Sequence, residues 1–356
     1  MGFKRVKFNN FRNIEPHEIH WSGGLNLLTG PNGSGKTNIL EGINIISGWG
    51  PLERGTKTKS LPTWNSGSTV VQLTGQLEGD LGEIIQVRIA ERYAIRVQDK
   101  TMSATELRWK NPVLTFLPND IALLEGSASY RRRLLDMLLA LLMPPYAMRL
   151  HDYRRGIRQK TIMLRRGERT DVVDRALLPL AAWIWKMRKE AVTLLSSCLN
   201  DLKTLVPDEI SLSLKRGGGG YDDGEEDDFR NGLAAYRERE IAVKVPFVGP
   251  HRDDMVINCG DRNASDALSR GYRRRAAIGL MLAASDGVLR KLGKVPVLLL
   301  DEVTAELDSD GRKLLFGALA DRKAQVFAAT AEPFSETFSG AVYSVNNGIV
   351  EKTDEN

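Results

Sequence analysis

The stretch Gly30-Pro31-Asn32-Gly33-Ser34-Gly35-Lys36-Thr37, which follows the apolar run Leu25-Asn26-Leu27-Leu28, decides how this chain is read. It satisfies GxxxxGK[ST] in the required context of strand, loop and helix. Glycines at 30, 33 and 35 let successive backbone N–H groups turn inward around phosphate oxygens, and a helix starting at Lys36 presents its positive end to the same anion. Lys36 is then placed to bridge the β- and γ-phosphates of ATP, and the Thr37 hydroxyl to ligate Mg²⁺. A glycine-rich turn that only resembles such a loop is the competing reading. The match at every fixed position and the strand upstream weigh against it.

A phosphate-binding loop of this kind needs a distant acid to hold the metal. VPVLLLDE at 295–302 supplies one at the end of an apolar run typical of a buried parallel strand. Asp301 is expected to hold the metal's water shell, and Glu302 to polarise the attacking water, which makes Glu302, Lys36 and Asp301 the expected catalytic set. The pentapeptide Leu268-Ser269-Arg270-Gly271-Tyr272 resembles the LSGGQ signature of ABC-type ATPases. In such proteins the serine and the helix it opens reach the γ-phosphate held by a second subunit, so Ser269 and Gly271 join the expected nucleotide contacts. Ser269 fits an ordinary helix N-cap as well, and Tyr272 stands where glutamine is usual. Ala305-Glu306-Leu307-Asp308 has the form of the loop that follows the acidic strand in these ATPases, although Asp308 could equally cap the next helix. Thr330 ends the run QVFAAT where an ABC transporter carries a histidine, so no histidine switch is available.

Around these motifs, 356 residues with 42% hydrophobic and 27% charged side chains describe a globular chain long enough for one large or two moderate domains. The longest apolar stretch, from Leu134 to Met143, is interrupted by Asp136 and is too short to span a bilayer. No apolar segment follows the basic N-terminus as a secretory signal would, so the expected compartment is the cytoplasm. Two cysteines, Cys198 and Cys259, are too few for a disulfide framework. The net charge of +5 is modest, but residues 131–190 hold fifteen Lys or Arg against six Asp or Glu.

The pattern along the chain is that of an α/β protein. FKRVKF from Phe3, VVQLTGQL from Val70, GEIIQVRIA and YAIRVQ alternate as strands do, whereas Tyr130 to about Leu205 has helical spacing. Leu134, Leu135, Leu138, Leu139 and Leu142 define one apolar face there, and Trp183, Met187 and Leu194 another. RGGGGYDDGEEDD at 216–228 reads as a mobile loop, followed by a short strand near Val243 to Val248 and α/β alternation to the end. The expected organisation is an ATPase lobe formed by residues 1–120 and 241–356, with a mainly helical lobe inserted at 121–240.

At this point several blocks in order, FRN at 11–13, GPNGSGKTNILEGI from Gly30, LPND at 117–120, RRRLLD at 131–136, GPHRDD at 249–254 and LLLDEVTAELD from Leu298, resemble those of the bacterial RecF family of recombination and repair proteins. The resemblance implies an ABC-type P-loop ATPase head, a mixed sheet with flanking helices, that carries an inserted helical lobe. It further implies a weak Mg²⁺-dependent ATPase that closes as an ATP-bound homodimer on DNA, either duplex or at a junction of single and double strands. Action at gapped DNA with RecR- and RecO-type mediators in recombinase loading follows from the same likeness. Departures are Tyr272, the long acidic loop, and GWGPLERG after the P-loop, where Arg54 is the candidate for a nucleotide-proximal arginine. LPND would place Asn119 and Asp120 near the metal, or form a plain turn at Pro118. GPHRDD is read as a structural turn with a buried ion pair in preference to a catalytic group. A transporter subunit is disfavoured by Thr330 and the basic helical block, a long coiled-coil ATPase by length, and an ATP-binding regulator without hydrolysis by Glu302. Arg131–Arg133 resembles a packing motif, whereas Arg154, Arg155, Arg165 and Arg166 are candidates for contacts with DNA phosphates.

Overall fold

The computed structural model describes residues 2–53, 55–78, 82–206, 209–218, 220, 224–331 and 339–353. The chain divides into two compact units, one formed by Met1–Asp120 with Arg270–Asn356 and the other by Ile121–Ser269. Among the described residues no helix is long and apolar enough to cross a membrane.

The first unit is built on two sheets. In the antiparallel one, β1 (Phe3–Asn9) lies between β2 (Glu18–His20) and β4 (Val71–Leu77), and β5 (Ile84–Ile89), β6 (Tyr93–Val97) and β7 (Lys100–Thr101) follow outward. Its strands alternate buried and exposed side chains, as period-two sequences with one covered face must. The other sheet has the order β15 (Ile349–Thr353), β14 (Ala341–Asn346), β3 (Leu25–Thr29), β13 (Val326–Thr330), β12 (Val297–Leu300), β8 (Val113–Phe116). All neighbours are parallel except the β14–β15 hairpin. Every residue of β12 and β13 is buried, which accounts for their unbroken apolar sequences. Helix α1 (Lys36–Ile46) touches strands of both sheets and is therefore buried on most of its circumference. Gly42 permits this closeness: a Cβ there would lie 2.2 Å from the Phe8 ring. Helices α2 (Ala104–Lys110), α9 (Arg270–Leu292) and α10 (Ser309–Ala320) complete the unit.

The second unit is mainly helical. It contains α3 (Ala122–Glu125), α4 (Ala128–Leu142), α5 (Pro144–Arg166), α6 (Asp171–Leu199), α7 (Glu225–Val243) and α8 (Ala264–Ala267), with a small antiparallel sheet of β9 (Ile210–Lys215), β10 (Asp254–Cys259) and β11 (Arg262–Asn263). Helix α5 opens on two prolines and ends at Gly167 (φ 71), where the left-handed turn lets the Gly167 N–H donate to the Leu164 carbonyl and the Glu168 N–H to that of Met163.

Three expectations are corrected. The inserted unit ends at Ser269 and not near residue 240, because β10 pairs with β9 over six residues and Asp253 is tied to α6. Part of the expected mobile loop is ordered: Glu225–Asp228 form the first turn of α7, where carboxylates suit the positive helix end, and buried Asp228 meets Arg216 at 2.9 Å. Tyr221 to Asp223 lie outside the described residues. No strand forms near 243–248. Val243 ends α7, Lys244 turns left-handed (φ 60), and the Phe247 N–H donates to Glu240 at 2.7 Å. The apolar stripe of α6 also centres on Ile184, Trp185 and Leu195, with Trp183 and Leu194 only half-buried, since α4, α5, α7 and β9 all contact this helix.

At the centre of this unit lies a buried ionic cluster. Arg188 donates to Asp253 at 2.7 Å, to Asp136 at 2.8 Å and to the Pro250 carbonyl at 2.6 Å. Tyr146 and Arg154 complete the Asp136 carboxylate, and the Trp185 indole completes Asp253. GPHRDD is thus the turn that carries a buried ion pair. Arg131 and Arg132 also serve it, holding Asp254 and the Asp253 carbonyl. Replacing Arg188 by Met leaves two buried carboxylates without their shared cation, so denaturation is expected to show a loss of about 3–5 kcal/mol. A loss below about 1 kcal/mol would show that the cluster does not hold the unit together.

Candidate nucleotide-binding site

The loop from β3 to α1 has the backbone that its glycines suggest. Gly30, Gly33 and Gly35 adopt φ of 148°, 79° and 118°, values rarely open to other residues. At Gly30 there is no room either, because a Cβ would sit 2.1 Å from the Val345 carbonyl oxygen. Asn13 braces the loop from outside: its amide donates to the Gly33 carbonyl at 3.2 Å and accepts from Asn38 at 2.7 Å. The β14–β15 turn closes over the same place, where Gly348 donates to the Ser34 carbonyl at 2.8 Å. A Cβ on Gly348 would overlap the Asn13 carbonyl, at 1.8 Å. The FRN block therefore has a local physical function. Phe11 is core, Arg12 makes a two-bond pair with Glu41 on α1, and Asn13 shapes the loop.

Lys36 folds back on this loop, its ammonium donating to the carbonyls of Gly30 and Pro31, both at 2.8 Å. Burial lowers its pKa, and the charges of Asp301 and Glu302 oppose that shift. The Thr37 hydroxyl donates to Asp301 Oδ2 at 2.9 Å. Burial raises the Asp301 pKa, the bond from Thr37 opposes the shift, and the negative charge of Glu302 adds to it. Two polar atoms here are buried without a partner, Ser34 Oγ and Asp301 Oδ1. A hydroxyl and a carboxylate oxygen left over beside an anion cradle are what a hydrated divalent cation would satisfy. Mg²⁺ keeps most of its waters and is usually held by one or two protein oxygens. Thr37 and Asp301 would hold it.

Glu302 follows on an exposed turn with φ 46°, next to Asp301, whose N–H donates to the Phe116 carbonyl of β8. Gly30–Thr37, Asp301 and Glu302 thus share one end of the parallel sheet. Ser269 is the last residue of the inserted unit and immediately precedes α9, while Gly271 lies against the neighbouring loop, where a Cβ would be 3.4 Å from the Glu306 carbonyl. Asp308 caps α10 by accepting from Gly311 at 2.7 Å, and Asp120 accepts from the Leu117 N–H in the turn at Pro118. Thr330 is buried and pairs with Thr304 at 2.7 Å. Arg54 lies outside the described residues.

A family model described as an AAA domain matches residues 5–113. The DNA replication and repair protein RecF of Desulforudis audaxviator is 30% identical over 370 residues, covering 99% of each chain. The chain belongs to the RecF family. The RecF of Clostridium tetani is 28% identical over 98% of this chain and 99% of that protein. Among solved structures, that of the recombination mediator protein RecF-ATPrS in the RecFOR pathway superposes with a TM-score of 0.86 at 25% identity, covering 98% of this chain and 97% of that one. An Smc head bound to the C-winged helix domain of ScpA gives 0.60 at 15% identity, covering 99% and 97%, which relates the RecF fold to the Smc heads.

Asn13 is the site residue that sequence reasoning left without a role. The Asn13→Ala variant removes one hydrogen bond to the loop and one to the first turn of α1 without touching the glycines or Lys36. At about 1 kcal/mol for each bond, affinity for a fluorescent ATP analogue is expected to fall roughly five- to thirtyfold in a folded protein. Unchanged affinity would remove Asn13 from the site.

Proposed function

We propose that this chain is a slow Mg²⁺-dependent ATPase that uses ATP to close a homodimer on DNA during recombinational repair in the cytoplasm. The observation that carries this reading is the bond from Thr37 to Asp301, which joins the phosphate cradle to the acidic strand beside Lys36. Gly30, Pro31, Asn32, Gly33, Ser34 and Gly35 would surround the phosphates with backbone N–H groups, and Lys36 would exchange its two carbonyl partners for phosphate oxygens. Mg²⁺, when bound, neutralises phosphate charge as the γ-phosphoryl group leaves. Glu302, exposed beside this cradle, would accept the proton of the attacking water. Ser269 and Gly271, at the start of α9, would meet the phosphates held by a second copy.

Membership of a family of DNA replication and repair proteins supports DNA as the partner, and the likeness to a RecF of the RecFOR pathway supports RecO- and RecR-type mediators; action with them at gapped DNA in recombinase loading is part of the same proposal. Two substitutions test the cycle together. Glu302→Gln is expected to lower hydrolysis at least a hundredfold while ATP binding persists and dimers accumulate in light scattering. Ser269→Arg is expected to keep ATP affinity and lose the dimer. Normal hydrolysis in the first, or ATP-dependent dimers in the second, would contradict the reading.

For DNA, the exposed side of α5 is the best-supported surface. Arg155, Arg158 and Arg166 line a shallow cleft of about 420 Å³ together with Ile162 and Glu168, and Arg165 is exposed beside it. Arg154 is withdrawn from this set because it pairs with Asp136 at 2.9 Å, while Arg131 and Arg132 hold Asp254 and the Asp253 carbonyl in keeping with a packing motif. Changing Arg155, Arg158, Arg165 and Arg166 to Ala should lower the salt slope of duplex binding by about 0.7 to 0.9 for each phosphate left without its arginine, with ATP binding intact. A titration at several salt concentrations that gives the original slope would move the DNA site off α5.

A further inference from the structure

Glu302 and Glu306 both occupy left-handed backbone, with φ of 46° and 65°, which residues with side chains rarely adopt. Something must hold the turn that carries the proposed base. Its carbonyl accepts from the Ala305 N–H at 3.1 Å and from Arg274 Nη2 at 2.7 Å. The other outer nitrogen of Arg274 donates to the Pro118 carbonyl at 3.1 Å, just beyond β8. The guanidinium lies 5.0 Å from the centre of the Phe116 ring, and the residue is only 2% exposed. Phe116 in turn receives the Asp301 N–H at 2.9 Å. One planar cation on the second turn of α9 therefore fastens the end of β8 and the turn after β12. Burial lowers its pKa, and four carboxylates, those of Glu306, Glu302, Asp120 and Asp301, partly oppose that shift. The next turn outward has its own clasp, Arg270 to Glu306 at 2.6 Å.

We propose that Arg274 is a positioning residue for ATP hydrolysis: by holding the Glu302 carbonyl it fixes the strained turn and so aims the Glu302 carboxylate, tying that aim to the helix that Ser269 opens. The inference rests on Glu302 as the base. A guanidinium reaches two carbonyls from separate nitrogens held at fixed angles, whereas an ammonium offers a single donor atom on a flexible stem. Arg274 touches neither phosphate cradle nor metal ligands through any of these bonds, so its effect should fall on turnover and not on binding.

The test is a double-mutant cycle of Arg274→Lys and Glu302→Gln, read by single-turnover hydrolysis of MgATP and by the affinity of a non-hydrolysable ATP analogue. Arg274→Lys alone is expected to lower the hydrolysis rate roughly ten- to a hundredfold, with affinity held within about twofold. On the Glu302→Gln background it should cause no further loss, because the group it positions is already disabled. A wild-type rate in Arg274→Lys overturns the inference, as does an equal loss on both backgrounds or a fall in affinity that matches the fall in rate. Should Arg274→Lys not fold, Arg274→Gln, which keeps an N–H donor, is judged by the same criteria. If neither folds, the residue is structural and the inference falls. Hydrolysis at the wild-type rate in Glu302→Gln alone would overturn the assignment of the base itself.

Discussion

The hydrogen bond between Thr37 and Asp301 spans 264 residues of sequence, and much of the architecture follows from the need to make it. β3, which delivers the loop, and β12, which delivers the acid, are separated in the sheet by β13, which arrives later in the chain than either. Early and late segments must interleave before a cradle exists. The intervening residues 121–269 can then be accommodated only as a unit that leaves and re-enters the sheet-bearing unit at its own ends. This unit is closed by its own contacts, the β9–β10 pairing and the ionic cluster around Arg188.

The inserted unit uses charge internally to an unusual degree. Besides Arg188, Lys160 is 1% exposed and lies between Asp174 at 2.8 Å and Glu240 at 2.6 Å, which ties α5 to α6 and α7. Such groups gain little net stability over a well-packed apolar core, but they tolerate few alternative arrangements, since each misplacement buries an unpaired ion. His251, hydrogen-bonded to Tyr153, belongs to the same interior. Burial depresses its pKa to about 4, so it stays neutral at physiological pH and serves packing. Part of the basic excess between residues 131 and 190 is thus held internally, by Arg131, Arg132, Lys160 and Arg188, while basic side chains along α5 and α6 remain exposed to solvent.

What could be read from the sequence was what depends on local chemistry. Gly30, Gly33 and Gly35 reveal a backbone requirement directly, and the apolar run before Asp301 signals a strand covered on both faces. The strands of the antiparallel sheet follow from alternation. What could not be read depends on partners distant in sequence. Asn13 is an ordinary polar residue until Gly33 is placed beside it, and Arg274 is one of several arginines on α9 until Pro118 and Glu302 converge on it. The acids of 225–228 suggested a mobile loop because composition does not reveal that Arg216, on the other side of the glycines, folds back onto Asp228. The boundary at Ser269 was missed for the same reason: strand pairing between β9 and β10 leaves no trace in the composition of either segment.

The hairpin turn at Gly348 has a bearing on how the protein comes into being. Its N–H completes the Ser34 carbonyl, its own carbonyl accepts from Glu15, and its missing side chain is what allows Asn13 to lie where it braces the loop. During synthesis residues 30–37 emerge early, yet the geometry they need depends on a residue made some three hundred positions later. A nascent chain that has not yet formed this hairpin would therefore display the nucleotide motif without its shape.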